Sequence, residues 1–105
     1  MSEKYDVYYE KPKEDYESYS DSSFIAGDSP ATLDVFGDLE RITYNGQINC
    51  DGAGDLLIGL SSDGTTYNDN ITLKSGEILD LRTFNLKKIK ITHSGTDSSY
   101  RVVVY

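Results

Sequence analysis

The 105-residue chain contains one cysteine, one histidine, one methionine, two prolines and no tryptophan. A lone Cys50 excludes an intramolecular disulfide and a thiolate zinc cluster. No run approaches the roughly 18 consecutive apolar residues of a membrane-spanning helix, and no membrane partner is expected. The opening residues, MSEKYDVYYE, lack the basic start and apolar core of a secretory signal, so a soluble protein made in the cytosol is expected. Positive charge is also scarce, with ten Lys plus Arg against 18 Asp plus Glu and a formal net charge of −8. A field of that sign repels phosphates, which argues against a nucleic-acid partner. The Gly-rich run 51–55 lacks the following Lys-Ser/Thr of a phosphate cradle, and its acids would repel phosphate. No cofactor is expected.

What is present divides near residue 21. Residues 1–21 carry three Lys and seven acids, no Gly, and only Val7 and Met1 as aliphatic or thioether side chains. Burying so little aliphatic surface cannot offset an ordering cost of about 1–2 kcal/mol per residue, so this segment reads as a flexible arm. Five of the nine tyrosines nevertheless lie in it: Tyr5, Tyr8, Tyr9, Tyr16 and Tyr19. Tyrosine offers large amphipathic area at low entropic cost, which suits contact with a partner. These five are the candidate partner-binding residues, against the plainer reading of a solvated tail. Pro12 interrupts any helical stripe among them.

Residues 22–105 hold all nine glycines and a period of two in apolar positions. Leu33 and Val35, Ile42 and Tyr44, Ile48 and Cys50, Leu56, Ile58 and Leu60, Ile71 and Leu73, then Ile89 and Ile91 each fall on one side of an extended segment. Asn45-Gly46, Asp51-Gly52, Asp63-Gly64 and Ser75-Gly76 supply turn chemistry between them. The pattern predicts an all-β, antiparallel sandwich, jelly-roll-like, of about eight short strands. Expected strands fall at 23–26, 32–36, 40–44, 47–50, 55–60, 70–73, 77–81, 87–93 and 99–104, the shortest being least marked. The apolar run 100–105 predicts a central strand, and Lys88 and Lys90, opposite Ile89 and Ile91, predict a half-exposed strand whose lysines discourage edge pairing.

No residue pattern points to catalysis, and the chain is read as a non-enzyme. Cys50 and His93 each continue an apolar face, which fits a small buried thiol and a histidine at the rim of the core rather than a nucleophile–base pair. Asp51, Asp55, Asp63, Asn68, Asp69 and Asn70 offer hard oxygens suited to calcium, but no EF-hand loop is formed, and Asp and Asn beside Gly are ordinary turn residues. No metal site is expected. With 18 acids, paired carboxylates for glycoside cleavage carry no specificity. Tyr44 or Tyr67 could instead serve as stacking platforms of a carbohydrate-binding module on a receptor-binding apparatus. The acidity also admits a DNA-mimic inhibitor, although solubility accounts for the charge.

The strings GDLLIGLSSDGTTY (54–67), ITLKSGEILDL (71–81), IKIT (89–92) and DSSYRV (97–102) resemble small β-sandwich structural and accessory proteins of tailed bacteriophages and related viruses. The resembling stretch covers about half the chain, reaching back toward DSPATLDV (28–35). The likeness is one of strand-and-turn style, and the arm's tyrosines match no motif of the group. It implies a virion component such as a capsid decoration, head-fibre, connector or tail protein. The expected partners are other virion proteins, capsid or tail, with self-association on a repeated lattice.

Overall fold

The computed structural model describes residues 16–25, 27–82, 85–93 and 97–105. Within them lie eight strands and one short helix: β1 (Glu17–Phe24), β2 (Ala31–Leu33), α1 (Val35–Leu39), β3 (Gly46–Cys50), β4 (Leu56–Ser61), β5 (Ile71–Leu73), β6 (Ile78–Asp80), β7 (Lys88–His93) and β8 (Ser98–Val104). They form two four-stranded antiparallel sheets, ordered β1-β8-β3-β6 and β2-β7-β4-β5. First pairs with last throughout: β1 with β8, β2 with β7, β3 with β6, β4 with β5. That is a long antiparallel ribbon, rolled so that β3 meets β8 and β4 meets β7. The rolled ribbon is a jelly roll.

Alternation along each strand fixes what lies inside. In the first sheet, Tyr19, Val102, Ile48 and Leu79 form one inward row, while Ser18, Val103, Gln47 and Asp80 form the neighbouring outward row. In the second, Ala31, Ile91, Ile58 and Ile71 face inward, and Leu33, Ile89 and Leu60 form the next inward row. Ile48, Ile58, Ile89 and Ile91 are fully buried, each contributing about 1.5–3 kcal/mol of transfer free energy. Two glycines permit close approaches at the sheets. Gly46 sits at φ +148°, and an added Cβ there would lie 2.3 Å from the Val103 carbonyl oxygen. Gly59 leaves the outer face of β4 flat, and the Tyr67 ring packs over it.

Three local expectations need correction. The arm boundary at residue 21 falls inside β1, because Glu17–Asp21 pairs in register with Tyr100–Val104. Residues 35–39 are helical rather than extended. Asp34 caps the first turn by accepting the Gly37 N–H at 3.1 Å, Val35 and Leu39 bury at helical spacing, and Glu40 closes the turn at φ 62°. The expected strand at 40–44 is therefore reduced to a single bridge between Thr43 and Leu86. Lastly, β7 is not an edge: it lies between β2 and β4. Strand β8 is central, between β1 and β3, as its apolar sequence indicates. Residues 1–15, the greater part of the expected arm, lie outside the described residues.

Candidate interaction surface

Of the five candidate tyrosines, Tyr5, Tyr8 and Tyr9 lie outside the described residues. The other two have different environments. Tyr19 points inward from β1, packs against the core and donates its hydroxyl to Asp38 Oδ2 on α1 at 2.5 Å. Burial, reinforced by the hydrogen bond to the Asp38 carboxylate and by its charge, pushes the Tyr19 hydroxyl well above its ordinary pKa. It ties β1 to the helix. Tyr16, one residue before β1, is 58% exposed.

Strand pairing places Tyr16 at the same end of the first sheet as two tyrosines from distant parts of the chain. Glu17 pairs with Val104, so Tyr16 and Tyr105 continue the two paired strands in the same direction. The N–H groups of Tyr44 and Asn45 donate to the Tyr105 carbonyl at 3.2 and 3.0 Å, and the Tyr105 N–H donates back to Asn45 at 3.0 Å. Tyr44 is 55% exposed and Tyr105 49%. Three half-exposed aromatic side chains thus occupy one end of the first sheet. Beside them, Asn45, Gly46, Gln47, Asp80, Arg82 and Tyr105 line a depression of about 330 Å³. Within it the Arg82 guanidinium meets the Asp80 carboxylate at 2.5 Å, holding that carboxyl below its usual range.

The outer face of β1, β8 and β3 forms a second shallow groove of about 290 Å³, whose lining includes Ser18, Ser20, Gln47, Asn49 and Arg101. Arg101 is held by Asp51 through two hydrogen bonds, 2.6 and 3.1 Å, which lower the Asp51 carboxyl and raise the guanidinium. The groove therefore presents hydroxyls and amides, with its cation already paired.

The residues weighed for chemistry are occupied structurally. The Cys50 thiol is 1% exposed and donates to the Gly54 carbonyl at 3.1 Å, with Ser98 Oγ at 3.5 Å. The His93 ring stacks on Phe24, centroids 3.9 Å apart. Asp63 Oδ1 accepts from the Thr65 and Thr66 N–H groups, both at 2.8 Å, and from Ser61 Oγ at 3.0 Å. Those bonds, the Thr66 N–H first, hold its carboxyl far below the ordinary value and define a turn. Among the described residues no group of three or more His, Cys, Asp or Glu side chains is placed to hold a metal ion. Tyr67 is half-buried, with the Lys90 ammonium 4.9 Å from its ring centroid, so of the two expected stacking platforms only Tyr44 stands open.

The fold recurs in solved structures. A protein of Bacillus endospore appendages, which form disulfide-linked pili, matches with a TM-score of 0.55 and 16% identity over 86% of this chain and 85% of that one. The Drosophila NLP core, whose structure bears on pentamer formation and histone binding, matches with a TM-score of 0.54 and 11% identity over 88% and 97%. The Tobacco streak virus coat protein gives a TM-score of 0.43 and 12% identity over 85% and 83%. At these identities the first two likenesses are of fold. No family model and no curated protein matches the chain.

Proposed function

We propose that this chain is a non-enzymatic structural or accessory protein of a phage-like virion, acting through protein–protein contacts. The observation that carries the contact role is the exposure of Tyr16, Tyr44 and Tyr105 at one end of the first sheet. Large amphipathic side chains held on paired backbone lose little entropy on contact, which is why tyrosine anchors interfaces. Two proteins sharing the fold belong to assemblies, the Bacillus pili and the pentamer-forming Drosophila core, and this supports the same style of use here. The virion placement rests on the strand-and-turn resemblance of residues 54–102. Cross-linking of the Bacillus kind has no ready means here, since the single cysteine is buried in the core.

Quantitative mass spectrometry of purified particles tests the placement. Tens to hundreds of copies per particle are expected, and absence from mature particles with abundant protein in infected cells overturns it. Replacing Tyr16, Tyr44 and Tyr105 together by Ser tests the surface. Exposed substitutions of this kind shift stability by about 0.5 kcal/mol each, so unfolding should change little while particle binding is lost. Full binding by that variant removes the tyrosine end from the interface.

A further inference from the structure

The two sheets leave four edges, β1 and β6 in one and β2 and β5 in the other. Three of these are short: β2, β5 and β6 have three residues each. Strand β1 has eight, and no described strand pairs with its outer side. Proteins usually guard such an edge with lysine, proline, a bulge or a covering segment. Glu17–Phe24, ESYSDSSF, contains neither lysine nor proline. Its outward side chains Ser18 and Ser20 are small and exposed. The guards present are the charges of Glu17 and Asp21 and a register irregularity between Asp21 and Phe24, which leaves Glu17–Asp21 as the regular part of the edge.

We propose that this edge takes a second copy of the chain by antiparallel β1–β1 pairing, joining the two first sheets into one continuous sheet. The proposal rests on the reading of the protein as one that works through protein–protein contacts, and it names the partner. A strand edge is self-complementary under a two-fold axis, because each copy presents the donors and acceptors the other needs. Antiparallel pairing also brings the start of one β1 to the end of the other. Those ends carry exposed side chains, Tyr16 at 58% and Ile25 at 48% exposure, and pairing brings each Tyr16 to the partner's Phe24–Ile25 end. Only pairings that keep like faces together are allowed, and the dyad falls near Ser20. Glu17 and Asp21 of both copies then lie along one seam. Their repulsion weakens the contact at low ionic strength and is screened by salt.

The test uses the full chain. Sedimentation velocity across a concentration series should show a monomer–dimer equilibrium that shifts toward dimer as salt is added. Ser20→Cys places a thiol at the dyad, where paired Cα atoms approach within disulfide range. The native Cys50 is buried and does not compete. Mild oxidation should convert Ser20→Cys to covalent dimer at least about tenfold faster than the control Thr72→Cys on the β5 edge, since pre-association raises the effective thiol concentration. A strictly monomeric chain at all salt concentrations overturns the proposal. So does a dimer in which Ser20→Cys oxidises no faster than Thr72→Cys, which would place self-association elsewhere. Either result leaves the particle measurement free to stand, so the partner assignment and the functional reading fail separately.

Discussion

Replacing Gly46 by alanine should be among the most damaging single-methyl additions in this sandwich. Gly46 opens β3 at φ +148°, a region that side-chain-bearing residues rarely occupy. The added Cβ would lie 2.3 Å from the Val103 carbonyl oxygen and 2.9 Å from Val104 Cα. Both are backbone atoms of the central strand β8, so no rotamer change relieves them and β3 must move off β8. Backbone strain of this kind costs about 1–3 kcal/mol, and overpacking adds about 1–3 kcal/mol. Their sum, about 2–6 kcal/mol, is a large part of the roughly 5–15 kcal/mol that stabilises an ordinary domain. Gly76→Ala is the control. Gly76 has φ +83°, but nothing lies within 4 Å of where its added methyl would sit, so only the conformational cost of about 1–2 kcal/mol applies. Urea unfolding followed by far-ultraviolet circular dichroism measures both. Gly46→Ala should lose at least about 1 kcal/mol more than Gly76→Ala. Equal losses would refute the close β3–β8 approach.

Two further outcomes follow from single side chains. The Thr43 hydroxyl is buried without a hydrogen-bond partner among the described residues, so Thr43→Val, of nearly the same shape, should raise stability by about 1 kcal/mol in urea unfolding. Tyr19 ionises less readily folded than unfolded. Its contribution is therefore intact below the unfolded value near 10 and is lost as pH rises above it. Tyr19→Phe should cost about 0.5–1.5 kcal/mol at pH 7 through the lost bond to Asp38, yet show a shallower decline in stability above about pH 10.

The layer architecture was legible because an antiparallel sandwich writes its inside and outside into every second residue. Ile48, Ile58, Ile89 and Ile91 are all on the faces their spacing gives them. The same rule misled at Leu33 and Val35. Two apolar residues separated by one satisfy a strand, but Val35 and Leu39 also satisfy one turn of helix, and the Asp34 cap with Glu40 in the left-handed region decides for the helix. Tyr19 looked like part of a solvated arm because its neighbours are Ser, Glu and Asp. An inward row needs only alternate residues, and β1 supplies Tyr19 while its serines face out. Local composition averaged over residues 1–21 hides that alternation.

The proposed contact surface was harder to see for a different reason. Alternation tells which face a side chain occupies but not which strand lies beside it. Tyr16, Tyr44 and Tyr105 share one end of the first sheet because β8 pairs with β1 on one side and with β3 on the other, and no residue of the three announces that pairing. The lysines of β7 show the same gap. Lys88 and Lys90 have the same outward pattern whether β7 is an edge or a centre, since side chains leave the sheet perpendicular to the hydrogen bonds that make the difference. In place of guarding an edge, Lys90 lies over the Tyr67 ring that covers Gly59. The strand that does form a long edge, β1, carries no lysine at all. A long edge without lysine is tolerable when it is paired in use, and that is the physical case for testing β1 first as a contact between copies.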